Sequence, residues 1–190
     1  QTFKTQNTTP EYLTELAVDL SKKLKGNIGV AFTYNEPFIS YEFVRDTSVL
    51  LHEAGLESVL VTNGTVCEKP LTEILPLIDA MNIDLKAFNE EFYKWIGGDF
   101  ATVKRTIELA SEFCHVEVTT LIVPGANDSI VEMQREADWL ASIDPNIPLH
   151  ISRFFPRYRV NDRPPTPVET IYELVATAKE YLNYVYAGNV

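Results

Sequence analysis

The sequence predicts an α/β fold: a partial (β/α) barrel of the kind in which parallel strands alternate with helices. Short Val/Ile/Leu-rich runs of strand length alternate with amphipathic helical stretches from one end of the chain to the other. Parallel strands cannot be joined by tight turns, so a helix between each pair is the connection that physics requires. No glycine-rich phosphate loop of the GxGxxG or GxxxxGK[ST] kind follows any strand, which sets the doubly wound nucleotide-binding sheet behind the barrel.

Each element has its own signal. Residues 9–25, TPEYLTELAVDLSKKLK, put Leu13, Leu16, Ala17, Leu20 and Leu24 on one helical face, with Thr9 as N-cap and Pro10 in the first turn. Residues 27–34 read as the first strand. SYEFVRDTSVLLHEAGL, 40–56, is a second helix that stops near Gly55. SVLVTNG, 58–64, is the second strand, and a helical stretch over 71–79 leads into AMNIDLKAF, 80–88, the third. The helix 100–113 precedes HVEVTTLIVPG, 115–125; the helix 129–142 precedes PLHISRFF, 148–155; the helix 168–181 leads to NYVYAGNV, 183–190.

Length and composition set limits. At 190 residues the chain reads as a single domain, 1–190, large enough to bury a core. Its 16 basic and 27 acidic residues give a net charge of −11, the wrong sign for a nucleic-acid surface. The acids, such as Glu11, Glu15, Asp19, Glu53 and Glu57, fall where helices meet solvent. No apolar run approaches the ~20 residues that span a bilayer, and the polar first ten residues carry no signal-peptide pattern, so a cytoplasmic location is expected. Cys67 and Cys114 are isolated and form neither a CxxC pair nor a zinc signature, so reduced structural thiols are expected. His52 falls within a helix and His115 just before a strand, positions of surface or structural residues; His150, starting a strand, reads as a core or rim residue.

Chemistry in β/α barrels gathers at the C-terminal ends of the strands. Here those ends carry Asn35 and Glu36, then Thr62 and Asn63, then Asp84 and Lys86, then Pro124, Gly125, Asn127 and Asp128, and finally Ser152 and Arg153. Each has a structural explanation: Asn63-Gly64 is a common turn pair, Asp128 can cap the helix after it, and Asp84 and Lys86, two apart on a strand, can form an ion pair. Together they line one rim. A carboxylate such as Glu36 accepts from an ammonium group, Asp84 from sugar hydroxyls, and Lys86 holds a carboxylate. That set suits a zwitterionic, sugar-bearing small molecule.

Four motifs, TYNEP at 33–37, VTNG at 61–64, IDLKAF at 83–88 and IVPGANDS at 122–129, occur in an order and spacing that resembles the radical SAM enzymes related to pyruvate formate-lyase activating enzyme. The later HISRFFPRYRVNDRPPTP, 150–167, and YVYAGNV resemble the branch called the AmmeMemoRadiSam system radical SAM protein. The resemblance covers the whole chain. It implies a partial barrel that binds S-adenosylmethionine (SAM) against a [4Fe-4S] cluster and uses a reduced cluster, fed by an electron donor, to split SAM into methionine and a 5′-deoxyadenosyl radical that abstracts hydrogen from a protein or small-molecule substrate. Carried over by motif, Glu36 would meet the methionyl amino group, with Asn35 and Asn63 beside it. Asp84 and Lys86 would hold the ribose and carboxylate region, and Val123, Pro124 and Gly125 would lie near the adenine.

The sequence departs from the family pattern in three places. Tyr34-Asn35 stand where the family's GGEP-type motif has two glycines. Val61 stands where the activating enzyme has an Asp that helps bind a cation. The CxxxCxxC motif whose three thiolates hold the cluster is absent, and the resemblance places it on a first strand and loop upstream of Gln1. The expectation is therefore a truncated radical SAM core that lacks its cluster ligands and does not cleave SAM as it stands. Two other readings remain open: an aldolase or lyase that uses Lys86 as a Schiff-base nucleophile, and a non-catalytic barrel that binds a small ligand.

Overall fold

The computed structural model describes residues 7–23 and 26–190. Its elements run α1 (Pro10–Lys23), β1 (Gly29–Phe32), α2 (Tyr41–Glu53), β2 (Glu57–Thr62), α3 (Glu68–Ile74), β3 (Ala80–Asp84), α4 (Glu90–Ile96), α5 (Phe100–Ser111), β4 (His115–Ile122), α6 (Ile130–Ile143), β5 (Leu149–Arg153), α7 (Val168–Ala178) and β6 (Val185–Gly188), with 3-10 turns at Pro37–Ser40 and Leu75–Leu77. The six strands form one parallel sheet in the order β1-β2-β3-β4-β5-β6. A doubly wound sheet reverses its strand order at a switch point. This one never does, and among the described residues β1 and β6 each have a single neighbour. The result is the open, partial barrel that the alternation of elements predicts.

Period-2 alternation divides the sheet into two faces. Met81, Ile83, Leu85 and Ala87 of β3 and its extension are buried, as are Val116, Val118, Thr120 and Ile122 of β4, Leu60 of β2 and Ile151 of β5. The apolar ones up to Leu85 pack with Val44 and Leu51 of α2, Val103 and Ile107 of α5, Met133 and Leu140 of α6 and Leu174 of α7, whereas Ala87, past the end of β3, packs in a second cluster with Phe92, Val123 and Phe154. Burying each such side chain stabilises the fold by about 1.5–3 kcal/mol. The intervening residues, Asn82, Asp84 and Lys86 on β3 and Glu117, Thr119 and Leu121 on β4, are only partly buried and form the inner face of the barrel.

Two expectations need correction. Leu16 and Leu20 of α1 are 43% and 37% exposed, and the face turned inward carries Thr14 and Ala17, with Leu13 and Val18 packed beside them. The helical period is as expected but its phase is rotated, because small residues let α1 lie close to α2. Leu24 and Lys25 lie outside the described residues. The second correction is α4, which the strand-helix alternation did not anticipate. Asn89 caps it, accepting from the Phe92 N–H at 2.7 Å, and Gly97 ends it at φ 75°, a left-handed position that a Cβ disfavours.

Candidate functional site

The site begins where β1 ends. Tyr34 and Asn35 both adopt left-handed backbone, φ 60° and 59°, the region that two glycines would enter without strain. This reversal turns Glu36 back over the end of β2, and Pro37 opens the 3-10 turn that follows. Glu36 Oε1 accepts from the Phe38 N–H at 3.1 Å and from Thr62 Oγ1 at 2.7 Å, while Oε2 accepts from the Asn63 N–H at 2.8 Å. A carboxylate has about four acceptor positions. Three are filled by the fold, and the remaining one on Oε2 is free for a ligand donor. Asn35 is exposed beside it, and Asn63 uses its own Oδ1 on the Thr65 N–H at 2.8 Å, with Gly64 completing the expected turn.

Two strands further, Lys86 Nζ lies 2.6 Å from Asp84 Oδ2, both about one-third exposed. The ion pair expected from their spacing forms, and it leaves two Nζ donors and one Asp84 oxygen facing the barrel mouth. A Schiff-base lysine is found in an apolar pocket; Lys86 instead sits against a carboxylate.

The end of β3 is fastened from three sides. The Lys86 N–H donates to the hydroxyl of Tyr93 on α4 at 3.1 Å. Asn127 Nδ2 donates to the Lys86 carbonyl at 2.8 Å and to the Leu121 carbonyl at 3.0 Å, while its Oδ1 accepts from the Val123 N–H at 2.6 Å. Glu132 on α6 accepts from the Phe88 N–H and from Asn89 Nδ2, each at 2.8 Å. Buried Val123, half-buried Pro124 and exposed Gly125 form a tight turn held by Asp128, whose Oδ2 accepts from the Gly125 N–H at 3.0 Å. Asp128 thus fastens this turn instead of capping α6, whose N-cap is Ser129. Burial raises the Tyr93 phenol well above its ordinary range, which keeps it neutral as a hydrogen-bonding post.

Below the rim, the inner face carries a layer of polar contacts. Thr119 donates to Asn82 Oδ1 at 2.9 Å, and Glu117 meets His150 at 2.7 Å and His115 at 3.3 Å. The His150 ring stacks on Tyr186 with centroids 5.3 Å apart. Burial pushes the Glu117 carboxyl up, but its two histidine hydrogen bonds outweigh this and hold it below the usual range. His52 is a surface residue, bonded to Asp79 at 2.9 Å. On the helix-covered face Glu136 is buried against Thr120, and desolvation raises its carboxyl to about 8.

The structure therefore brings Glu36, Asn63, Asp84, Lys86 and the 123–125 turn to the C-terminal ends of four adjacent strands. β1 and β4 are three strand spacings apart, about 14 Å. Asn35 reaches the same rim with its side chain in solvent. Residues that strand-end reasoning missed are Tyr93, whose helix was signalled only by Asn89, two acids and a Gly-Gly stop, and the inner-face set Asn82, Glu117 and Thr119, which the alternation in NIDLK and HVEVTTL does mark.

The donor set fits SAM at this rim, since the free Oε2 position and the Lys86 donors match an ammonium and a carboxylate. It does not fit an iron–sulfur cluster. No group of three His, Cys, Asp or Glu among the described residues could hold a metal ion. Cys67 is exposed at the start of α3, beyond the C-terminal end of β2, while Cys114 precedes β4 at the opposite end of the sheet and burial raises its thiol to about 11.

Comparison with known proteins bears on the family and the fold. The model of the radical SAM superfamily matches residues 1–137. The chain belongs to the radical SAM superfamily, and within it is related to pyruvate formate-lyase activating enzyme. It is 41% identical over 192 aligned positions to an uncharacterised protein of Methanocaldococcus jannaschii, covering 96% of this chain and 54% of that one. It is 31% identical over 106 positions to the pyruvate formate-lyase 1-activating enzyme of Escherichia coli, covering 53% of this chain and 42% of the enzyme. Among solved structures, a domain of pyruvate-formate lyase-activating enzyme from Bacteroides vulgatus superposes with a TM-score of 0.71 at 18% identity, covering 85% of this chain and 99% of that one. SuiB of Streptococcus suis, bound to S-adenosylmethionine, superposes with a TM-score of 0.72 at 12% identity, covering 99% of this chain and 43% of that one. The chain spans about half the length of the curated relatives it matches. No helix among the described residues is long and apolar enough to cross a membrane.

Proposed function

We propose that this chain is the SAM-binding body of a radical SAM enzyme related to pyruvate formate-lyase activating enzyme. The observation that carries the reading is Glu36: its carboxylate is fixed by three donors from its own fold and keeps one acceptor position open at the barrel rim. Such a group is built to receive one further N–H, and the methionyl ammonium supplies it. Lys86, oriented by Asp84 at 2.6 Å, meets the SAM carboxylate, and the free Asp84 oxygen accepts from a ribose hydroxyl. The 123–125 turn, held rigid by Asn127 and Asp128, forms the wall against which the adenine lies. Bound SAM supplies the 5′-deoxyadenosyl group for hydrogen abstraction. The described residues offer no ligand set for a [4Fe-4S] cluster. The test is a calorimetric titration of the full chain with SAM. Saturable binding that weakens in Glu36→Gln supports the reading; the same affinity in both proteins removes Glu36 from the site.

A further inference from the structure

β5 ends at Arg153, and the chain continues as FFPRYRVNDR, residues 154–163. Four of the seven arginines lie within 153–163, with Asp162 the single acid among them, whereas the rest of the chain holds 12 basic and 26 acidic residues. Among the described residues none of the four pairs with a carboxylate. Two have structural work. Arg163 Nη1 donates to the Pro124 carbonyl at 2.6 Å and its guanidinium lies 5.2 Å from the Trp95 ring centre, while that of Arg159 covers Tyr158 at 5.2 Å. The other two differ. Arg153 is oriented by the bond from its Nε to the Thr166 carbonyl at 2.5 Å and by stacking over Phe155 at 4.8 Å, which leaves its two terminal nitrogens undirected. Arg157 holds a backbone bridge to Val160, and its side chain is exposed with no carboxylate partner.

Arg153 and Arg157 line one cavity of about 550 Å³ with Leu121, Phe154, Phe155 and Asn189. Leu121 belongs to the inner face of the barrel, and Arg153 is in register with Ile122 at the end of β4. The cavity therefore opens on the same rim as Asp84 and Lys86, with two arginines and an apolar wall lining it. We propose that it is a second binding site, for the carboxylate or phosphate group of a small anionic substrate. A guanidinium presents paired donors that match either group bidentately, and Phe155 pre-orients one of the two forks. Leu121, Phe154 and Phe155 supply the apolar contact of a small-molecule pocket. A polyanion such as RNA would need a basic track across the surface, and the acidic remainder of the chain offers none.

Naming the ligand a substrate rests on the SAM reading; the binding itself does not, and it is measured without SAM. Inorganic pyrophosphate and malonate are titrated separately into the full chain, into Arg157→Gln and into Lys179→Gln, which removes the same charge from an exposed distant position. Saturable binding of at least one probe, weakened about tenfold or more by Arg157→Gln and unchanged by Lys179→Gln, supports the site. No saturable binding, or equal weakening in both variants, overturns it. Tighter binding of a short single-stranded RNA than of either probe overturns the small-molecule assignment. SAM binding without anion binding defeats this inference alone, and anion binding without SAM binding defeats the functional reading alone.

Discussion

The side-chain amide of Asn127 donates to the backbone carbonyl of Lys86 across 2.8 Å, which bolts the loop after β4 to the end of β3. The same side chain serves the Val123 N–H and the Leu121 carbonyl, and it is 4% exposed, so water cannot replace it. Truncation in Asn127→Ala leaves those backbone groups unpaired in the interior. The expected loss is about 1–3 kcal/mol of folding stability, read by urea denaturation. Asn127→Asp keeps the acceptor for Val123 but sets a carboxylate oxygen against two carbonyls, so it is expected to be at least as damaging. An alanine variant as stable as the parent would show that the bolt carries no load.

Glu136 makes stability depend on pH. Burial raises its folded-state carboxyl to about 8; the Thr120 hydrogen bond opposes the rise and the Glu132 charge adds to it, whereas in the unfolded chain the group titrates near the ordinary 4.5. Below 4.5 both states are protonated and its contribution is fully present. It is lost as pH rises through the folded value, because the unfolded chain releases a proton that the folded chain keeps. Glu136→Gln mimics the neutral carboxyl at every pH. The difference between variant and parent is expected to grow in the variant's favour between pH 5 and 8, by an amount on the order of a few kcal/mol, as followed by thermal melting. A pH-independent difference would mean that Glu136 is not buried neutral.

Tyr34 sits at φ 60° and is 91% exposed, so it carries left-handed backbone with little packing to compensate. Tyr34→Gly is expected to be neutral or to stabilise the chain by up to about 1 kcal/mol, the strain of a Cβ in that region. A loss of more than that in denaturant titration would show that Tyr34 makes a stabilising contact.

Most of the fold was legible because parallel β/α architecture writes itself in local patterns. The five longer helices and six strands follow from periodicity, and the consecutive strand order follows from the alternation together with the absence of a phosphate loop. The shared rim was legible as strand ends: position alone brought Glu36, Asn63, Asp84 and Lys86 together, as the sheet does. Phase and long-range contacts were not. The inward face of α1 depends on small residues meeting α2, and α4 is a seven-residue helix too short to show a period. The clamps made by Asn127, Glu132 and Tyr93 join residues 41, 44 and 7 positions apart, and side-chain to backbone bonds of that kind leave no sequence pattern. Glu136 reads as one more solvated acid in a helix and lies instead in the core.

The most direct test of the central claim is the affinity of the full chain for SAM, measured by calorimetry in the parent and in Glu36→Gln. The substitution keeps the shape of the carboxylate and an acceptor for Thr62 and Phe38; it removes the charge offered to the ligand ammonium and turns an amide NH2 toward the Asn63 N–H, so the folding of both proteins is checked by circular dichroism alongside. Saturable binding is expected in the parent and a loss of about 1–3 kcal/mol in the variant, the worth of one charge-assisted hydrogen bond. Equal affinity in the two proteins would contradict the placement of SAM at Glu36, and no binding to the parent would contradict the SAM-binding role itself.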